Sequence, residues 1–327
     1  MAISLSPAMA VHLPDCELSL DRPGSFCYLS HAHSDHASGI SPTSRIIATP
    51  ETLALRSIGS EGVHYNRSVK IASGVKAVLR SAGHILGSSI LRIEDGASFE
   101  YTGDFCLSDG ALHKAAEPEH CDIMLVESTY GSPEWRFPPR QEVAEQMGAW
   151  ASNILAKGGI GLIGGYVTGK SQELIAILNQ AGIAPVVTTA IDRVCTVYDR
   201  FGCKLDRIAA DSLDADSTLS GPFIAVVPQN RLSYLLASRL HKLYRRPVFT
   251  AMATGWGLHY RFPVDKVFVL SDHADFHEIV EYVAAAGPKR VLTCHGYDKE
   301  LAAELRKRGF NAVPLREANQ RQLAEFA

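Results

Sequence analysis

Apolar residues in this chain come in short runs whose period changes along it. Near the start they are brief and bounded by turn residues. Residues 10–13, 17–20 and 26–29 read as strands, with Pro14, Asp15 and Arg22-Pro23-Gly24 turning the chain between them. Residues 45–48 read as a further strand, and 50–58 as a helix that Thr49 and Pro50 would start. Residues 75–80 and 89–93 are extended, and 99–105 is a strand ending in a turn at Gly103-Asp104. The continuous apolar run 122–128 has the filling of a buried strand.

A segment rich in proline and aromatics, 133–139, marks a boundary. From 138 to 255 strand and helix alternate: helices over 141–157, 172–180, 192–201 and 231–244, strands over 158–165, 185–190 and 223–228. The tail gives strand 266–270, helix 276–286, strand 290–293, helix 298–309 and a last strand 312–315. The expected organisation is a first domain begun by 1–137 and completed by 256–327, with 138–255 inserted as an α/β unit.

Composition adds bounds. With 327 residues, 46% hydrophobic and 20% charged, the chain is of the soluble globular class. A net charge of −3 gives no bulk support for a nucleic-acid partner, so that claim needs a site. Seven cysteines, an odd number without a Cys-x-x-Cys pair, argue against a disulfide framework and suit a cytoplasmic protein. The first residues show no basic region followed by an apolar core, so no secretion signal is expected. No apolar run nears the roughly 18 residues of a membrane helix, so no membrane partner is expected.

Candidate chemistry concentrates in Tyr-Leu-Ser-His-Ala-His-Ser-Asp-His-Ala-Ser-Gly, 28–39. His31, His33, Asp35 and His36 are ligands for a borderline divalent ion. His31 and His33 are two apart and point the same way from a strand end; Asp35 and His36 follow where a helix should begin. One segment can thus serve two neighbouring ions. Further candidates stand at other strand ends: His84 in a Gly-flanked loop, Asp104, Glu127, His273 and His295. Glu127 closes a buried strand, where a carboxylate needs a cation or histidine partner. Asp21 could orient a ligand histidine or simply serve a turn.

A rival motif lies at Gly164–Ser171, Gly-Gly-Tyr-Val-Thr-Gly-Lys-Ser, which matches the phosphate-binding loop of nucleotide triphosphatases. Such an enzyme also needs a strand-end Asp for magnesium, and Asp272 is better explained beside His273. Backbone N–H groups at this helix start, with Lys170 and Ser171, could instead hold a substrate phosphate.

The motifs together resemble a known family. His-Ala-His-Ser-Asp-His (31–36), Ala82-Gly-His84 and Thr102-Gly-Asp104 look like the metallo-β-lactamase fold. Val126-Glu-Ser-Thr-Tyr-Gly131, Ser271-Asp-His-Ala-Asp275 and Thr293-Cys-His-Gly296 look like the further motifs of its nuclease branch, the β-CASP proteins, which include RNase J, Artemis and the pre-mRNA 3′-end endonuclease. Gly169-Lys-Ser-Gln-Glu173 is similar to another segment of that branch. In length and in its last hundred residues the chain looks most like the bacterial ligase-associated DNA exonucleases.

The resemblance implies an αββα sandwich with an inserted β-CASP domain. It implies that His31, His33 and His84 hold one ion and Asp35, His36 and His295 a second, with Asp104 bridging. Zinc is expected, manganese the alternative. His273 matches the general acid, Glu127 the acid that pairs with it, and Asp21 the first-motif aspartate. The implied activity is hydrolysis of phosphodiester bonds in single-stranded DNA, exonucleolytic and in DNA repair, with RNA as the alternative substrate and an ATP-dependent DNA ligase or a helicase as functional partner. Lys170, Arg193, Arg231, Arg239, Lys242, Arg245 and Arg246 could line a slot for the strand or remain a solvated face.

Overall fold

The computed structural model describes residues 4–213 and 215–318. The chain divides into two compact units, one of residues 1–109, 113–136 and 273–327, the other of 110–112 and 137–272.

The first unit holds two sheets. The smaller has five strands in chain order, Ser4–Ser6, Ala10–His12, Glu17–Leu20, Phe26–Tyr28 and Arg45–Ile47. The larger has seven, in the order Ala312–Pro314, Arg290–Cys294, Ile123–Glu127, Ala97–Tyr101, Ser89–Asp95, Val75–Ser81 and Ser68–Ala72. Its first four strands are parallel and the rest antiparallel.

One apolar cluster joins the two sheets: Leu18, Leu20 and Tyr28 from the smaller meet Leu79, Leu91, Phe99 and Leu125 from the larger. A second cluster covers the other face of the larger sheet, where Met124, Val126 and Val291 pack with Ile279 and Val283 of helix Phe276–Ala286 and with Leu301 and Leu305 of helix Asp298–Lys307. Five-residue strand 123–127 is therefore buried throughout, as its unbroken apolar run requires. Helix 276–286 starts at a capping box, in which Asp275 accepts from the Glu278 N–H and Glu278 from the Asp275 N–H. Helix Pro50–Leu55 starts at Thr49, whose side chain accepts from the Thr52 N–H.

This topology matters for the site. Strands 97–101, 123–127 and 290–294 run in the same direction, with Leu125 opposite Tyr101 and Glu127 opposite Cys294. Their carboxyl ends carry Asp104, Glu127 and His295 to one edge.

The second unit holds a parallel six-stranded sheet in the order Ile208–Ala209, Val186–Val187, Phe223–Pro228, Ile160–Gly165, Val248–Ala253 and Lys266–Phe268. Helices Arg140–Ala156, Lys170–Gln180, Thr189–Arg200 and Tyr234–Tyr244 belong to it.

Three features differ from expectation. Strand 266–268 pairs with 248–253, so residues 256–272 join the second unit and the chain returns to the first at His273. The 185–190 strand shrinks to Val186–Val187, because Pro185 has no N–H to give a ladder and Thr189 already opens a helix. Strands 4–6, 68–72 and 248–253 were not legible, since polar residues interrupt the first two and the third shows no alternation. No cysteine forms a disulfide. Among the described residues no helix is long and apolar enough to cross a membrane.

Candidate metal centre

The centre is built on loops that leave strand ends of the first unit. Strand 26–28 delivers Ser30, His31 and His33, the last capping the four-residue helix Ser34–Ala37 that carries Asp35 and His36. Asp104 follows Gly103, whose φ of 54° is left-handed; a Cβ there would lie 2.6 Å from Ser30 Cβ, so glycine lets the two loops touch.

His31, His33, His84 and Asp104 each bring one ligand atom to a point, all within 4.8 Å of one another. His84 Nε2 and His33 Nδ1 are 3.1 Å apart. Asp104 Oδ2 sits at the centre, 3.4 Å from His31 Nε2, 3.4 Å from His36 Nε2, 3.8 Å from His84 Nε2 and 3.9 Å from His273 Nε2. His36 and His295 face one another with ring centroids 5.4 Å apart. Asp35 stands at the rim: its side chain is 78% exposed, and its carboxylate is 3.9 Å from His36 Nε2.

Buried Asp21 organises the histidines. Its Oδ1 accepts from the Ser30 N–H at 2.7 Å. Its Oδ2 accepts from Ser30 Oγ at 2.6 Å, from His36 Nδ1 at 2.8 Å and from the Tyr101 hydroxyl at 2.8 Å. Because the Ser30 hydroxyl proton goes to Asp21, the 2.9 Å contact between Ser30 Oγ and His31 Nδ1 is donated by the imidazole. His31 therefore carries its proton on Nδ1 and turns a lone pair on Nε2 inward, while His36 donates from Nδ1 to Asp21 and aims Nε2 at Asp104.

Electrostatics agree with a site for cations. Burial, with His36 next, holds His31 well below the ordinary histidine pKa, so it is a neutral ligand. Burial likewise lowers His295. Burial also disfavours charge on His36 and Asp104, but their mutual attraction outweighs it: Asp104 and Asp21 raise His36 well above its ordinary value, and His36, His273 and His31 hold Asp104 well below its own. The anions thus demand positive charge at this point. His31 Nε2 and His295 Nε2 are buried without a hydrogen-bond partner. Inward lone pairs on neutral imidazoles around a buried carboxylate are the donor set of a borderline divalent ion, so the residues fit one.

Beside this lies a second grouping, Asp104, Glu127 and His273. Glu127 is buried and accepts from the Phe105 N–H at 2.9 Å. Its two oxygens lie 2.9 and 3.1 Å from His273 Nδ1, which leaves Nε2 facing Asp104. His295 has φ of 63°, and Ser128 Oγ pins its turn by donating to the carbonyls of Cys294 and His295 at 2.8 and 2.7 Å.

Lys170 and Ser171 are the residues expected at a substrate phosphate. Both are buried in the second unit. Lys170 Nζ is bound to Asp272 at 2.5 Å and Glu173 at 3.1 Å, and Ser171 Oγ donates to the Tyr166 carbonyl. The Gly169 N–H, at the start of the helix, donates to Gln172. These donors already have carboxylate or carbonyl partners, which weighs against a phosphate cradle and against the triphosphatase reading. Ser30, Tyr101 and Ser128 carry one signal in the sequence, their place next to or opposite the motif residues.

No protein-family profile matches the sequence. A protein named "Probable DNA ligase" from Opitutus terrae is 32% identical over 327 residues, an alignment covering 96% of this chain and 31% of that one. An "RNase J-like protein" from Methanocaldococcus jannaschii is 30% identical over 178 residues, covering 46% of this chain and 42% of that protein. The chain resembles the β-CASP proteins of the metallo-β-lactamase fold. It spans under half the length of either of these two proteins. A crystal structure titled as a protein of unknown function from Enterococcus faecalis V583 shares the fold at a TM-score of 0.62 and 16% identity, over 89% of this chain and 79% of that one.

Proposed function

We propose that this chain is a β-CASP nuclease that hydrolyses phosphodiester bonds with two divalent cations, zinc or manganese. Its substrate in this reading is single-stranded DNA, taken exonucleolytically in cytoplasmic DNA repair. The architecture is an αββα metallo-β-lactamase sandwich with an inserted β-CASP domain. The observation that carries the reading is the convergence of four imidazoles on Asp104 Oδ2, with one of them, His273, held from behind by Glu127.

His31, His33 and His84 would hold one cation, and His36, His295 and Asp35 the other, with Asp104 between. Bound divalent cations supply Lewis acidity, which activates water near neutral pH and neutralises charge developing on phosphate. The chain's own part is arrangement and proton transfer. Asp21 fixes the tautomers of His31 and His36. Glu127 accepts from His273 Nδ1, so a proton on His273 Nε2 is aimed at the leaving oxygen of a phosphodiester bound beside Asp104.

DNA is favoured by the relative that aligns along 96% of this chain, which is named for a DNA ligase. A ligase or helicase partner would fit that association. The ribonuclease alternative is favoured by the relative named RNase J-like, whose alignment covers 46% of this chain. Incubating metal-loaded protein with end-labelled DNA and RNA strands separates them. A ladder from single-stranded DNA is expected; a ladder from RNA alone selects the alternative, and no cleavage of either overturns both.

A further inference from the structure

A cavity of about 190 Å³ opens in the first unit against the turn that carries His295. It shares His295 with the candidate metal centre and otherwise has its own lining. Its walls come from sequence-distant elements: Met9 after the first strand, Arg22 beside Asp21, His295 and Asp298 after strand 290–294, and Leu315 and Arg316 near the end of the described chain. Against the roughly 300–1,000 Å³ of ordinary small-molecule sites it is small, with room for part of one nucleotide.

The lining is divided. Met9 and Leu315 are buried and apolar. Arg22 is exposed, and among the described residues it has no ion-pair or hydrogen-bond partner. Arg316 is 80% exposed and reaches only Asp298, at the loose distance of 3.9 Å. Two guanidiniums against one carboxylate leave net positive charge at the rim, and a guanidinium fork suits phosphate oxygens. Asp298 is an acceptor suited to a sugar O–H or a base N–H.

We propose that this cavity is a nucleotide subsite: Arg22 and Arg316 take the phosphate, and Met9 and Leu315 pack against the sugar or base. Resting on the nuclease reading, it holds a nucleotide of the strand next to the one being cut. Its wall includes His295, so occupancy of the cavity places the strand beside the candidate metal centre.

The test titrates metal-loaded protein with 5′-dAMP, deoxyadenosine and inorganic phosphate by calorimetry. Wild type is compared with Arg22→Ala/Arg316→Ala and with Ala8→Trp, a substitution at an exposed cavity-wall residue that fills the space. The double arginine variant should bind dAMP at least tenfold more weakly with its metal content unchanged. Ala8→Trp should lose dAMP while keeping phosphate, and deoxyadenosine should bind more weakly than dAMP. With DNA strands, KM should rise at least fivefold in the arginine variant with kcat within twofold. Equal dAMP affinity in wild type and arginine variant overturns the subsite, as does strand cleavage with unchanged KM, and either leaves the nuclease reading standing. Arginine-dependent dAMP binding by a protein that cleaves no strand supports the cavity and overturns the nuclease reading instead.

Discussion

Asp21 Oδ2 lies 2.8 Å from His36 Nδ1, and the same carboxylate holds Ser30, the residue before His31. One buried acid therefore sets the proton positions on two imidazoles of the candidate centre. Asp21→Asn keeps the shape but offers a single acceptor oxygen to four donors. Zinc affinity should fall about 10–100-fold, measured by competition with a chromophoric chelator. Unchanged affinity would remove Asp21 from the account.

Glu127 Oε1 lies 2.9 Å from His273 Nδ1, the contact through which the proposed mechanism couples the two. His273→Ala should lower strand hydrolysis by about 10²–10⁴-fold with metal content retained. Adding Glu127→Gln to that variant should cost little more, because the residue it orients is already gone. Single-turnover rates for the two single variants and the pair form the cycle; additive losses would mean separate roles.

Much of this was legible beforehand. The ligand-bearing stretch 31–36 and the strand ends at His84, Asp104, Glu127, His273 and His295 all lie in the sequence as polar residues closing apolar runs. What was not legible is whatever depends on contacts between distant segments. Asp21 could equally have been a turn residue until Ser30, His36 and Tyr101 were seen around it. The Gly164–Ser171 motif carries the spacing of a phosphate loop, but spacing cannot reveal that Asp272, a hundred residues on, neutralises Lys170. Strand 248–253 leaves no such mark, because its positions show no period of two.

Lys170→Ala should act on stability. It strands Asp272 and Glu173, two acids that are themselves buried and also contacted by Arg140. Breaking a buried network from one side costs about 3–5 kcal/mol, read as a lowered midpoint in urea. The wild-type protein should show no ATP turnover. ATP hydrolysis abolished by Lys170→Ala would restore the triphosphatase reading.

Glu100 is buried, accepts a hydrogen bond from the Tyr282 hydroxyl at 2.8 Å, and is pushed by burial to a pKa of about 7 from 4.5. The folded state then binds the proton more tightly than the unfolded chain, so the stability it contributes is complete below about pH 4.5 and is lost as pH rises through about 7. Glu100→Gln keeps the neutral shape without the titration. Relative to wild type, the variant should gain up to about 3 kcal/mol between pH 4.5 and 8, followed by denaturant melts across that range. A flat difference would show that Glu100 ionises normally.

The central claim is that imidazoles and carboxylates from separate strand ends of the first unit cage a pair of cations. Native mass spectrometry of protein reconstituted with zinc and freed of excess tests it without reference to substrate. The account predicts two ions per chain in the wild type, and loss of bound metal in a folded His84→Ala/Asp104→Ala variant. A wild-type protein that holds no ion, or a variant that keeps both, would contradict it.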